Sequence, residues 1–169
     1  MGKEVNEFRI EALQTHIGCE MYMNKFIYDF FFTPNNEYTF VFTPLILDRL
    51  SFSKKIQIIE NLFKHSSNLH ILKKRYPSIN FNVKGLKIIG FSIKKEKYSI
   101  KELIKALSKI NTIRNHLAHN SVFDYSKHKG MFPVEKFPMN MEYKGNKKEL
   151  LESREYVNSF FKHFKEITF

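Results

Sequence analysis

Two groups suited to phosphodiester chemistry lie close together in the run Ile113-Arg114-Asn115-His116-Leu117-Ala118-His119-Asn120. The planar guanidinium of an arginine grips a phosphate through two charge-assisted hydrogen bonds. A histidine passes a proton near neutral pH. Asn115, directly after the arginine, adds a third polar group. The chain is also basic, with 28 Lys and Arg against 17 Asp and Glu and a formal charge of +11. Such a surplus attracts polyanions regardless of their sequence. Arg114, Asn115 and His119 are therefore the candidate catalytic residues, and RNA is the candidate partner. The plainer reading of the charge is a basic protein with no nucleic-acid ligand.

These residues need a helix to position them. Ser99-Ile100-Lys101-Glu102 has the spacing of a capping box, with Ser at the N-cap and Glu at the third helical position, and predicts a helix from there to about Asn120. At 100° per residue, Leu103, Leu107, Ile110, Arg114 and Leu117 share one stripe, while Asn111, Asn115 and His119 share another. Arg114 thus stands on or beside an apolar face, about 140° from His119. Its long stem could close that gap, or a second protomer could bring its own copy across a symmetry axis. The competing structural reading pairs Arg114 with a carboxylate such as Glu20 or Asp29 and leaves His119 as a surface or capping residue.

The other elements follow from periodicity and breakers. A first helix is predicted over about Val5–Phe32, where Ile10, Leu13, Ile17, Met21, Tyr28 and Phe31 recur at three- and four-residue steps. Thr33-Pro34-Asn35-Asn36 ends it, and Glu37–Pro44 reads as a short extended segment. A second helix is predicted over about Leu45–Lys74, broken near Ser51 and Ser53, with Ile56, Ile59 and Phe63 facing inward. Tyr76-Pro77-Ser78 breaks the chain again. Residues 76–98 read as an insertion containing a hairpin, with runs at Phe81–Val83 and Leu86–Ile93. An irregular loop is expected from about Ser121 to Asn146. A last helix is expected over about Lys147–Ile167, burying Leu150, Leu151, Val157, Phe160, Phe161 and Phe164. The Phe30-Phe31-Phe32 run reads as core, with a dimer interface as the lesser option.

The bulk properties narrow the function classes. A chain of 169 residues is expected to form one domain with a sizeable core. Cys19 is the single cysteine, so no intrachain disulfide can form, and a reducing, cytoplasmic setting fits best. No Cys/His cluster has zinc-ligand spacing, so neither a metal nor another cofactor is expected. The start Met1-Gly2-Lys3-Glu4-Val5-Asn6 is too polar for a signal peptide. Apolar stretches such as Phe40–Leu47 are too short to span a membrane.

The Arg114–His119 run, the apolar helix before it and the helix after it together resemble the HEPN superfamily, whose motif is arginine, four to six residues, then histidine. Asn115 matches the small polar residue that active members often carry after the arginine. The resemblance implies an all-α fold, a HEPN-like antiparallel bundle of about four main helices, with irregular or short β insertions at about 76–98 and 121–146. It also implies a metal-independent endoribonuclease, working as a homodimer whose two motifs face one cleft, with Arg114 and His119 as the catalytic pair and Asn115 in support. Its expected chemistry is attack of the RNA 2′-hydroxyl on the adjacent phosphorus. Such proteins are often toxins or abortive-infection effectors in antiviral defence, so an antitoxin or regulatory partner belongs to the expectation. One subgroup carries a tyrosine two positions after the histidine that a partner enzyme modifies; here that position is Ser121, and the nearest tyrosine is Tyr125. The alternative is a non-catalytic module of the same fold that binds RNA or a nucleotide, or serves for dimerisation.

His116, Lys73, Lys74 and Arg75 are further candidates for RNA contacts, as is Lys94-Lys95-Glu96-Lys97, against the reading of a solvated face. His16, His65, His70, His128 and His163 show no partner pattern and read as surface or capping residues.

Overall fold

The computed structural model describes the backbone of residues 2–32, 45–122 and 139–164, and the side-chain surroundings of residues 7–32, 45–117 and 147–164. The chain is mostly helical. Helix α1 is Gly2–Phe31, α2 Phe52–Lys64, α3 Leu69–Arg75, α4 Ile100–Val122 and α5 Met139–Phe161. Strands β1 (Asn80–Lys84), β2 (Lys87–Ile93) and β3 (Glu96–Ser99) form one antiparallel sheet in chain order. Single 3-10 turns lie at Leu47–Arg49, Ser66–Asn68 and Lys162–Phe164. Among the described residues no helix is long and apolar enough to cross a membrane.

The helix starting at Ser99 forms as its sequence predicts, though only half of the capping box closes. The Ser99 hydroxyl accepts the Glu102 N–H at 3.4 Å. The reciprocal bond goes elsewhere: the Ser99 N–H donates to the Tyr156 hydroxyl at 2.9 Å, and that hydroxyl donates to the Ser99 carbonyl at 3.0 Å. The expected second helix is cut into two. Ser51 caps α2 by accepting the Lys54 N–H at 3.3 Å, as the break near it predicts. A second break at His65–Asn68 separates α3, where the Asn68 amide donates to the Leu62 carbonyl at 2.9 Å and closes the end of α2. The last helix begins earlier than expected, so residues 139–146 are helical rather than loop. The expectations for Glu37–Pro44 and for residues 123–138 lie outside the described residues.

Residues 76–98 hold three strands where a hairpin was expected, and they are not an appendage. Phe91 of β2 is fully buried and meets Phe160 at 4.9 Å, Phe164 at 5.2 Å and Tyr98 at 4.9 Å between ring centroids. Phe26 of α1 continues the cluster, stacking on Phe63 of α2 at 5.4 Å and meeting Phe164 edge-on at 5.0 Å. Aromatic pairs in these geometries add about 0.5–1.5 kcal/mol each beyond the area they bury. A bare all-helical bundle therefore underdescribes the core, since sheet and helices share it. The hairpin turn carries Gly85 at φ +60°, a conformation glycine adopts without cost. Its tip is tied down by the Ser66 N–H, which donates to the Leu86 carbonyl at 2.7 Å.

Helix α1 shows a different face from the one its periodicity marks. Ile10 and Met21 are 56 % and 67 % exposed, and Leu13, Ile17 and Phe31 are exposed as well. Tyr28 is half-buried against the core. The buried side instead carries Phe8, Ala12, Thr15, His16, Cys19, Met23, Phe26, Ile27 and Phe30. Of the phenylalanine run, then, Phe30 is core and Phe31 faces solvent. The inward residues predicted for α2 and α5 are buried, apart from Leu151, which is half-buried.

Two glycines give opposite tests of this packing. A Cβ at Gly90 would lie 2.1 Å from the Tyr98 carbonyl oxygen on β3, whereas one at Gly18, in the middle of α1, meets nothing within 4 Å. Gly90→Ala is expected to cost about 2 kcal/mol or more and to lower the melting temperature by roughly 4–8 °C. Gly18→Ala is expected to gain up to about 1 kcal/mol from helix propensity and to raise it. Thermal melts of the two variants check both signs.

Candidate phosphate-handling site

The motif lies on α4, whose apolar stripe Leu103, Leu107 and Ile110 is fully buried. Arg114 continues that stripe and is half-buried. Neither acid that could have paired with it does so: Glu20 takes Lys55 at 2.5 Å, and Asp29 takes Lys25 at 2.6 Å. The Arg114 guanidinium instead donates to the Asn115 side-chain oxygen at 3.0 Å. Asn115 thus steadies the arginine while leaving its charge uncancelled by any carboxylate among the described residues. His119 is on the helical backbone of α4, one turn beyond Asn115, and its side chain lies outside the described residues. His116 is exposed.

Three helices converge on the buried flank of Arg114. The Asn111 amide of α4 donates to the Ser53 hydroxyl of α2 at 3.1 Å, and Asn111 also neighbours His16 of α1. The His16 ring stacks on Phe52 with centroids 4.0 Å apart. His16 is only 7 % exposed, and its Nε2 has no hydrogen-bond partner among the described residues. Burial and the neighbouring Arg114 charge push its pKa below the usual 6.5, which Glu20 and Asn111 only partly oppose, so the ring is neutral at pH 7. One turn along α1 from His16, Glu20 meets Lys55, whose side chain is fully buried. His16, expected at the surface or as a cap, is buried instead, and Ser53, expected only near a helix break, is bonded to Asn111; the sequence assigned neither to the site. A buried histidine carries no local mark; the nearest signal was the four-residue spacing of His16, Glu20 and Asn24 beside an apolar stripe.

The basic candidates on α3 sit apart from this junction in their local roles. Lys73 and Lys74 are exposed, while half-buried Arg75 donates to the Phe32 carbonyl at 2.6 Å and so caps the end of α1. Lys94, Lys95 and Lys97 are exposed around the β2–β3 turn, and Lys162 meets Glu96 there at 3.3 Å. An open groove of about 580 Å³ runs between α4 and α5, lined by Lys105, Lys109, Glu149 and Tyr156, on the side of α4 away from Arg114. Among the described residues no predicted site residue lines it. Among the described residues no group of three His, Cys, Asp or Glu side chains could hold a metal ion.

The Lys55–Glu20 pair braces the junction and can be tested apart from any activity. Glu20→Gln leaves a buried ammonium without its counter-charge, which is expected to cost at least about 2 kcal/mol. Adding Lys55→Met to it, which removes the stranded charge and keeps the stem's volume, is expected to recover most of that loss. Denaturant unfolding of the single and double variants reads the difference.

Compared with protein-family models, with curated proteins and with solved structures, the chain matches none of them.

Proposed function

We propose that this chain is a homodimeric endoribonuclease of the HEPN type that cuts RNA at Arg114, Asn115 and His119, needs no metal ion, and acts as a toxin or phage-defence effector. The observation that carries this reading is Arg114. Its guanidinium is half-buried on an otherwise apolar stripe, held by Asn115, with no carboxylate partner among the described residues. A charge held there without a counter-ion is costly, and a visiting phosphate relieves that cost. The formal charge of +11 draws a polyanion to it.

In the proposed reaction the RNA 2′-hydroxyl gives its proton to a histidine, for which His119 is the candidate, and its oxygen attacks phosphorus. The P–O5′ bond breaks and the leaving oxygen takes up a proton. The products are a 2′,3′-cyclic phosphate and a 5′-hydroxyl. Arg114 offsets the charge that builds on the non-bridging oxygens.

The dimer would form on α1. Ile10, Leu13, Ile17 and Met21 present an apolar stripe of the kind that marks association surfaces. The stripe is self-complementary: a second α1, antiparallel and centred near Cys19, sets Ile17 against Met21 and Ile10 against Tyr28.

Cleavage of labelled RNA in EDTA tests the chemistry. Arg114→Lys is expected to lose a hundredfold or more in rate, roughly as much as Arg114→Ala, because a lysine cannot hold two phosphate oxygens at once. His119→Ala is expected to be inactive but folded. Near wild-type cleavage by a folded Arg114→Lys, or cutting of a substrate with a 2′-deoxy scissile nucleotide, contradicts the mechanism. RNA binding without cleavage would select the non-catalytic module instead.

Met21→Glu places a charge at the centre of the proposed interface. It is expected to turn a dimer into a folded monomer on size-exclusion chromatography with light scattering. An unchanged dimer would move the interface off α1.

A further inference from the structure

The first turn of α2 ends on the same junction as Arg114 and adds what the motif by itself lacks. Ser51 caps the helix, but the N–H groups of Phe52 and Ser53 have no acceptor within the helix, and they carry the positive end of its dipole. At that end stand the Ser53 hydroxyl and the Asn111 amide bonded to it, and Arg114 follows Asn111 by three residues on α4, its charge acting on His16. His16 lies against the same turn, its ring stacked on Phe52 and Asn111 beside it. Its Nε2 is the second, independent sign of a ligand. Buried polar atoms are nearly always partnered, and this one has no partner among the described residues.

We propose that the first turn of α2, Ser53, Arg114 and His16 form a binding site for the phosphate of a phosphodiester, with His16 Nε2 as a donor to it. The proposal draws on the cleavage reading only for the phosphate-holding role of Arg114. It places the phosphate against α2 and gives the site a second histidine, on a different helix from the motif. Helix N-termini suit anions because free N–H groups and the dipole act together.

Such a site is coupled to protons. The charged groups facing His16 are Arg114 on α4, Lys55 on α2 and Glu20 on its own helix. With no anion present, burial and the two cations favour the neutral ring. A phosphate beside Arg114 cancels much of that field, so the ring takes up a proton and donates from Nε2. Binding therefore strengthens as pH falls through the titration midpoint of the bound state. It levels off below the lower midpoint of the free state.

The probe is the dinucleotide dTpT, which lacks the 2′-hydroxyl needed for cleavage and keeps one constant charge between pH 5 and 8. Histidine side-chain NMR of the whole protein follows the titration. Adding dTpT is expected to shift the His16 signals and raise their midpoint by about one pH unit, with affinity roughly tenfold tighter at pH 5.5 than at pH 8. His16→Gln keeps an amide donor but cannot titrate. It is expected to bind dTpT with no such pH dependence, with folding checked by thermal melting. If that variant does not fold, the wild-type midpoint alone decides. Binding that leaves the His16 midpoint unmoved, or an equal pH dependence in a folded His16→Gln, overturns the proposal. Absence of dTpT binding in a protein that still cuts RNA overturns it too and spares the cleavage reading. A coupled His16 in a protein that cuts no RNA upholds the site and removes the nuclease.

Discussion

Aromatic packing between the sheet and the helices is the contact on which the rest of the molecule depends. Phe91 reaches from β2 to Phe160 and Phe164, and Phe26 and Phe63 complete the cluster from α1 and α2. Flat rings bury a large area with few rotatable bonds, so little entropy is lost for what is gained. This cluster fixes α1, α2 and the last helix relative to one another. α4 packs against all three of these helices, and the junction of His16, Ser53, Asn111 and Arg114 lies where it meets α1 and α2.

That arrangement was legible where the chain's local chemistry is strong. Ser99 and Glu102 mark the start of α4, and Ile56, Ile59 and Phe63 mark the inner face of α2. Gly85 and the flanking apolar runs mark a hairpin. It was not legible where burial is decided by neighbours. On α1 Ile10, Leu13, Ile17 and Met21 face out, and the stretch of the buried side opposite them holds Ala12, Thr15, His16 and Cys19, small or polar residues that do not register in an apolar count. Strand β3, Glu96-Lys97-Tyr98-Ser99, is too charged to read as a strand and exists because β2 supplies its hydrogen bonds. The break at His65–Asn68 has no glycine or proline to announce it.

The site divides in the same way. Arg114 and Asn115 were visible because their types and spacing carry chemistry, and their mutual hydrogen bond follows from adjacency on one helix. The contributions of His16 and Ser53 are long-range, 95 and 58 residues from Asn111, which bonds Ser53 and neighbours His16 all the same. No window along the chain joins them. Glu20 and Asp29, the acids that could have neutralised Arg114, are taken by Lys55 and Lys25 instead. The availability of one charge thus depends on how two others are satisfied elsewhere.

The pair of hydrogen bonds between Tyr156 and Ser99 bears on the order in which the chain organises itself. Glutamate in a complete capping box would close the start of α4 from three residues away. Here the Ser99 N–H and carbonyl both wait for a hydroxyl 57 residues further along. Contacts over such separations form slowly, because the intervening loop must close first. The Ser99 hydroxyl caps the Glu102 N–H locally, but the Ser99 N–H gains its partner only when α5 arrives. Protection of the Ser99 amide from hydrogen exchange reports the docking of that last helix, and not the helicity of α4 itself.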